Sequence, residues 1–361
     1  MMRAVYIHIP FCKRICSYCD FCKVLIRDEW VSNYIKALAC EVNEYYLGDE
    51  VKSIYIGGGT PSALKLIDLL KLFEVIRKFK RSPDCEVTFE CNLNDINDTL
   101  LKVLKENNVT RISIGIESFN QNMLKIMNRE SDFKDALNKI NLCRYYKFNN
   151  INVDLIYGIE GQTLNDLKED LKLFLKLPVT HISTYALIVE NNTLIKLKNI
   201  GNVDEDLEAS MYDYIVKKLK NAGFNQYEVS NFSKPGYESI HNLTYWHNEE
   251  YYGFGLNASG FIDDVRYTNT QSLNDYLDMK FNRDSMIMTK KQKMDDEIML
   301  GLRLVNGINI KDFNQKYGED IFSLYPIKPL LNNKDLILKG DWLFINPSKR
   351  YIMNAILLKM I

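Results

Sequence analysis

The chain has 361 residues, 46% hydrophobic and 26% charged, a globular composition that excludes a disordered chain and fits one large domain with an appendage, or two domains. Lys plus Arg (46) against Asp plus Glu (47) leaves a formal net charge of −1, so no global basic field exists to hold a nucleic acid backbone. The longest charge-free run, Leu177–Val189, is shorter than the roughly 18–20 residues of a membrane span, and Met1–Pro10 lacks the apolar length and cleavage site of a signal peptide. The expectation is a cytoplasmic protein.

In chain order, short β-branched and aromatic runs alternate with helix-period segments. A strand at Ala4–Ile9 leads into a loop holding Cys12, Cys16, Cys19 and Cys22, and a helix follows with Val31, Ile35, Leu38, Val42 and Tyr45 on one face. A second strand, Ser53–Ile56, runs into Gly57-Gly58-Gly59-Thr60-Pro61. Further strands are expected at Glu86–Cys91, with Glu90 at its end, and at Arg111–Ile116, with Glu117 just beyond. Two more are expected at Ile151–Tyr157, containing Asp154, and at His181–Ile188, containing Tyr185. Repeated β–α units imply parallel strands with helices packed outside. Polar and special residues gathered at the carboxyl ends of such strands are the layout of a barrel active site. Six units rather than eight imply an incomplete barrel with an open side.

The basic run Arg77–Arg81 is expected to end a helix, where cations complement the dipole. The stripe Leu207, Met211, Tyr214, Ile215 and Leu219 reads as core. From about Lys290 the pattern changes to helices at Ile298–Leu304 and around Ile310–Tyr317, strands at Asp335–Leu338 and Trp342–Ile345, then a helix, which resembles a small winged-helix-like domain.

The eight cysteines are unevenly placed. Cys40, Cys85, Cys91 and Cys143 are scattered and read as buried small hydrophobes, whereas four within eleven residues and no secretory signal read as a metal site. Four thiolates can hold a structural zinc. Equally, Cys12-x3-Cys16-x2-Cys19 can hold three irons of a [4Fe–4S] cube, leaving the fourth open to a small-molecule ligand. The role of Cys22 separates the two.

Cys12-Lys13-Arg14-Ile15-Cys16-Ser17-Tyr18-Cys19, followed by Gly57-Gly58-Gly59-Thr60-Pro61, resembles a radical S-adenosylmethionine (SAM) protein. The lead-in Tyr6-Ile7-His8-Ile9-Pro10-Phe11 is similar to the oxygen-independent coproporphyrinogen III oxidase family, and His241-Asn242-Leu243-Thr244-Tyr245-Trp246 to its HemW-like haem-chaperone branch. The resemblance runs from about Tyr6 to the tail. It implies an α/β fold: a partial (β/α)6 TIM-like barrel of radical SAM type with a small α+β winged-helix-like C-terminal domain. Residues 1–190 would be the core, 191–289 a family-specific extension with the haem-binding motif, and 290–361 the winged-helix-like domain.

By the same resemblance, Cys12, Cys16 and Cys19 would ligate a [4Fe–4S] cluster whose open iron is chelated by the methionine moiety of SAM, and an electron from the cluster would cleave SAM. Gly58, Gly59 and Thr60 would let the backbone approach that moiety, Tyr6 and Tyr18 would flank it, and Glu90 would accept from ribose hydroxyls. Glu117, Arg129, Asp154 and Ala186 match a second SAM position, with Arg129 paired to its carboxylate. Glu117 stands where the relatives carry Gln, Asn257-Ala258-Ser259 replaces a Gly-Ala-His stretch, and Cys22 lies three residues past Cys19 rather than two, which reads as a spare thiol. His241 would ligate haem iron, with Tyr245 and Trp246 against the porphyrin face. His247 is an alternative ligand, and His8 and His181 read as structural or, for His8, as lining the cofactor site.

Two functions follow. One is a haem chaperone that binds haem and delivers it to acceptor haemoproteins, fed electrons by a donor such as flavodoxin or ferredoxin, without nucleic acid or a membrane span and compatible with peripheral association with respiratory proteins. The other is the oxidase itself, decarboxylating coproporphyrinogen propionates. Only five residues precede Tyr6, whereas the oxidases carry a long N-terminal extension, and this favours the chaperone.

Overall fold

The computed structural model describes residues 2–361. Strands and helices alternate through its first half: β1 (Arg3–Ile9), α1 (Asp28–Tyr45), β2 (Glu50–Gly58), α2 (Leu66–Ile76), β3 (Lys80–Asn92) and α3 (Asp98–Glu106). They continue with β4 (Arg111–Glu117), α4 (Gln121–Met127), α5 (Phe133–Tyr145), β5 (Asn150–Tyr157), α6 (Leu164–Phe174) and β6 (His181–Ala186). The helices start where side chains cap them: Asn97 accepts from Leu100 N at α3, and Thr163 and Asp166 form a reciprocal capping box at α6.

Each β–α–β connection steps to the next position in the same direction, so β1 to β6 lie side by side, in order and parallel. Right-handed crossovers that always step one way put the helices on one face. This is the winding a barrel requires, not that of a doubly wound sheet. Later strands extend both edges. β7 (Asn225–Gln226) and β8 (Asn231–Ser233) continue antiparallel past β6. β9 (Tyr251–Phe254) pairs parallel with β1, and β10 (Ser259–Ile262), β11 (Val265–Thr268) and β12 (Asp284–Ile287) follow antiparallel. The result is one open 12-stranded sheet, β12-β11-β10-β9-β1-β2-β3-β4-β5-β6-β8-β7.

The two faces of the parallel part differ in chemistry. Val5, Ile7, Ile9, Ile54, Ile56, Val87, Phe89, Ile112, Ile114, Val153 and Leu155 belong to one buried cluster with the helices, including Val31, Ile35, Leu38 and Val42 of α1. The alternate positions carry Tyr6, His8, Tyr55, Glu90, Ser113, Asn152, Asp154, His181 and Ser183. Parallel strands buried on both faces ordinarily read apolar throughout. A polar inner face is therefore where a site can be built.

Several expected boundaries are corrected. The basic run straddles two elements: α2 stops at Ile76, Arg77 is its cap, Phe79 is buried, and Lys80 and Arg81 open β3. β3 begins before Glu86 although Pro83 lies within it, because a register shift opposite Val51–Ser53 accommodates the break. The helix expected at Ile298–Leu304 is α9 (Lys290–Gly301), taking the label α7 for Glu205–Asn221 and α8 for Ile240–Trp246; its start is set by a Thr289–Gln292 capping box. Met211, Ile215 and Leu219 of α7 are core, as their spacing predicts, and Cys85, Cys91 and Cys143 are buried while Cys40 is partly so. The C-terminal segment builds its own cluster, from Met294, Ile298, Phe313, Ile327, Leu343 and neighbours, around a 3-stranded sheet of Ile308–Asn309, Trp342–Ile345 and Leu336–Lys339.

One buried carboxylate ties α1 to the extension. Glu41 is fully buried, and its oxygens accept from Asn269 (2.6 Å), Arg283 (3.0 Å), Tyr276 (2.6 Å) and Gly255 N (2.9 Å). Arg283 also lies over the Tyr45 ring at 3.5 Å. Glu41→Ala leaves that cation and three donors without their acceptor and should lower unfolding free energy by about 3 kcal/mol. Urea denaturation measures this, and an unchanged midpoint would show that the clamp is not needed.

Candidate functional site

The cysteine loop is closed at its base by a two-strand ladder, Phe11–Cys12 against Val24–Leu25. Further contacts fix its backbone. Ser17 N donates to Met127 O (2.9 Å), Asn128 Nδ2 to Ile15 O (2.8 Å) and Ile195 N to Ser17 O (2.8 Å), while His8 Nε2 meets Cys22 O at 2.8 Å. Lys23 donates to the Cys19 carbonyl. A loop held by so many main-chain groups presents its side chains in one arrangement.

That arrangement faces a cavity of about 200 Å³ at the carboxyl ends of β2 to β6. Cys12, Cys16 and Cys19 line it; Cys22 does not, and packs instead against the main core. Three thiols on one cavity wall, with the fourth turned away, suit a cube bound at three corners. Thr60 Oγ1 lies 3.5 Å from Cys12 Sγ and Arg129 Nη1 3.7 Å from Cys16 Sγ, both donors suited to thiolate charge.

The remaining wall is strongly charged. Glu90, on the inner face of β3, accepts from Tyr55 OH (2.6 Å) and Gly58 N (2.9 Å), yet burial pushes its carboxyl up to about 7. Glu117 sits past a register shift at the end of β4 with φ +71, a left-handed conformation costly for a side-chain-bearing residue, which aims its carboxyl into the cavity. Burial lifts it to about 7 as well, against the pull of Arg129 at 3.3 Å. Asp154 is also raised by burial, although Asn152 Nδ2 donates to it at 2.8 Å. Three carboxyls facing Arg129, Arg14 and Lys23 in one cavity give both signs of charge to a ligand that carries an ammonium, a sulfonium and a carboxylate.

The structure thus brings together Cys12, Cys16, Cys19, Tyr18, Gly58, Gly59, Thr60, Glu90, Glu117, Arg129 and Asp154 on one cavity. Tyr6 and Ala186 are not among its lining residues: Tyr6 is behind it, with its hydroxyl 2.9 Å from His8 Nδ1. The glycines are required within the protein itself. A Cβ on Gly57 would meet the Glu90 carboxyl at 2.6 Å, one on Gly58 the His8 ring at 2.4 Å, and one on Gly59 the Pro10 backbone at 2.7 Å. The protein's own side chains and backbone already require these glycines, before any ligand does. Tyr185, expected at the end of the sixth strand, lines the wall, as do Ser113, Gly115 and Ile156, which the sequence left unassigned; Ser113 and Gly115 share the inner face with Glu117 by strand alternation, the signal that finds them. Arg129 is already engaged by Glu117, the Gly115 carbonyl and Cys16, with its buried Nε unpartnered.

The expected haem group lies elsewhere. His241, on α8, is 1% exposed. Its Nδ1 is 3.0 Å from Ser53 Oγ and its Nε2 is 2.8 Å from Tyr245 OH, and burial lowers its pKa to about 3. Both ring nitrogens and the Tyr245 hydroxyl are thus bonded within the protein. The Trp246 Nε1 is buried without a partner. His8 and His181 are buried too, His181 between Asn152 Oδ1 (2.6 Å) and Tyr227 OH (2.8 Å), whereas His247, which caps α8, is exposed.

Residues 6–174 match the Radical SAM superfamily model, and 288–348 match the HemN C-terminal domain. A Bacillus subtilis (strain 168) protein named Heme chaperone HemW is 39% identical, the match covering 94% of this chain and 92% of that one. A Lactococcus lactis protein of the same name is 38% identical, covering 94% and 93%. The solved structure of Escherichia coli coproporphyrinogen III oxidase, HemN, a radical SAM enzyme, superposes with a TM-score of 0.86 over 99% of this chain and 89% of its own, at 20% identity, a likeness of fold.

The raised carboxyls have a consequence for the apo-protein. Glu90 titrates near 7 when folded and near 4.5 when unfolded, so between these values the folded chain keeps a proton that the unfolded chain has released. The stabilisation is complete below pH 4.5 and lost as pH rises through 7. Relative to Glu90→Gln, wild-type stability should fall by up to about 1.4 kcal/mol per pH unit across that window. Urea midpoints against pH would show this, and parallel profiles for the two proteins would contradict it.

Proposed function

We propose, for a chain that belongs to the HemW family of the radical SAM superfamily, that it binds haem and hands it to acceptor haemoproteins, on a core holding a [4Fe–4S] cluster and SAM. The observation that carries the cofactor half is that Cys12, Cys16 and Cys19 share one cavity wall while Cys22 is excluded from it. Identity near 38–39% over more than nine-tenths of proteins named Heme chaperone HemW supports the haem half. In this reading residues 1–190 hold the cofactors, 191–289 carry the haem motif and 290–361 form the appended module.

Cys12, Cys16 and Cys19 would hold the cluster, with Thr60 and Arg129 donating toward two of the sulfurs. When bound, the cluster and SAM together supply one-electron chemistry that no side chain provides. Glu90, Glu117 and Asp154 would take the cationic and hydroxyl-bearing parts of SAM. Lys23 and the ladder at Phe11–Leu25 keep the loop from shifting as they load. An electron donor such as flavodoxin or ferredoxin would approach the cysteine loop, where Phe21 is exposed. For haem, His247 has the one exposed imidazole among the four histidines, and no side-chain partner holds it among the described residues. Histidine ligation therefore falls to it. No helix among the described residues is long and apolar enough to cross a membrane.

Anaerobic reconstitution tests the cofactor half: wild type should gain cluster absorbance and Cys16→Ala should lose nearly all of it, while Cys22→Ala should keep it. Loss in Cys22→Ala would restore a four-thiolate site. Haem titration tests the other half. Wild type should show a Soret shift, and His247→Ala should bind roughly 10-fold more weakly, a difference of about 1.4 kcal/mol. Rapid decarboxylation of coproporphyrinogen by the reconstituted protein would replace the chaperone reading with the oxidase one.

A further inference from the structure

We propose that His241 is a positioning residue for the cofactor cavity, acting through Tyr55 and Tyr6, and not a ligand of haem iron. This rests on the reading of that cavity as the SAM site.

Helix α8 lies against β2 with its histidine inserted under the inner face of the sheet. The His241 ring is 5.1 Å from the Tyr55 ring at 30° and 6.4 Å from the Tyr6 ring at 36°, so one imidazole backs two tyrosines on adjacent strands. Each tyrosine hydroxyl then reaches a different part of the site. Tyr55 donates to Glu90 Oε1 (2.6 Å), and the second Glu90 oxygen takes Gly58 N (2.9 Å). Tyr6 meets His8 Nδ1 (2.9 Å), and the far nitrogen of His8 meets the Cys22 carbonyl (2.8 Å) at the end of the cysteine loop. The two routes end on the carboxyl assigned to ribose and on the loop assigned to the cluster.

The histidine is itself fixed from both sides. Ser53 Oγ and Tyr245 OH hold its nitrogens, and its backbone N–H donates to Glu86 Oε1 (3.2 Å), an oxygen that also takes Ser239 Oγ (3.4 Å). Burial keeps the ring neutral, which suits contact with aromatic faces rather than charge pairing. A ring so held sets where Tyr55 and Tyr6 sit, and through them where the Glu90 carboxyl and the end of the cysteine loop stand. Tyr245 serves as the histidine's partner in this arrangement.

The test compares His241→Ala and His241→Phe with wild type. Phe keeps a planar ring against the tyrosines and cannot ligate iron. SAM affinity is read by equilibrium dialysis and by the change in the reduced cluster's EPR signal on SAM addition, and haem by Soret titration. Expected are a 10-fold or greater loss of SAM affinity in His241→Ala, recovery to within about 3-fold in His241→Phe, and an unchanged Soret titration in His241→Phe. Should His241→Ala not fold, His241→Asn, which keeps a polar group for Ser53 and withdraws the ring from Tyr55, carries the same expectation. Tyr55→Phe in the His241→Ala background should add little further loss, since both act on one route. Unchanged SAM affinity in His241→Ala, or loss of haem binding with intact SAM binding in His241→Phe, overturns the proposal. Wild-type protein that carries its cluster but binds no SAM overturns the cofactor reading as well.

Discussion

The structure depends on a column of buried polar side chains that satisfy one another on the inner face of a parallel sheet. Tyr6, His8, Tyr55, Glu90, Asn152, Asp154, His181 and Ser183 all point into space that helices on the other face do not cover. A buried donor or acceptor left alone costs about 1–3 kcal/mol, so an inner face of this kind is stable only if nearly every group finds a partner. It does. Asn152 alone joins Ser113, Asp154, His181 and Ser183. At the carboxyl end the column stops being self-sufficient, and there carboxyls, thiols and Arg129 face an open cavity.

The base of the column draws its partners from the extension. Tyr227 takes His181, while His241 and Ser239 take Ser53 and Glu86. At the same edge β9 pairs with β1, and Glu41 and Arg3 bind Arg283 and Glu250 across it. The segment from Tyr227 to Arg283 is thus folded into the core rather than set beside it. Tyr55 packs on the α8 histidine and bonds Glu90 of the cavity wall, which makes a change in one a change in the packing of the other.

Much of this was legible in the sequence, for identifiable reasons. Cysteine spacing is local chemistry, so Cys12, Cys16 and Cys19 were found together, and the displaced Cys22 falls off the cavity as a spare thiol does. Strand cores were legible because β-branched residues alternate with polar ones; their ends were not, because Ser82 and Pro83 are poor strand formers that the ladder to β2 overrides. Glu117 was visible as a strand-end carboxyl, but its positive φ and its pairing with Arg129 are set by β4 and the loop after α4, twelve positions apart in one chain and adjacent only when folded. The glycine run suggests close approach to a ligand; that Glu90, His8 and Pro10 also require it is visible only once the strands are folded together. For His241, flanking aromatics suggest a porphyrin face; the same aromatics serve equally as buried hydrogen-bond and packing partners, and only tertiary structure separates the two.

Magnitudes bear on which histidine the proposed haem binding would use. To expose His241, α8 must leave the sheet and give up the bonds to Ser53, Tyr245 and Glu86, at about 1 kcal/mol net each, together with ring contacts on Tyr55 and Tyr6. Haem would have to favour the opened state by at least that sum merely to break even, a factor of about 100 or more in affinity before any binding is seen. Ser53 Oγ and the Glu86 carboxyl would also be stripped of partners beneath an occupied cofactor cavity. The imidazole of His247 needs none of this rearrangement, because it already stands in solvent at the end of the same helix.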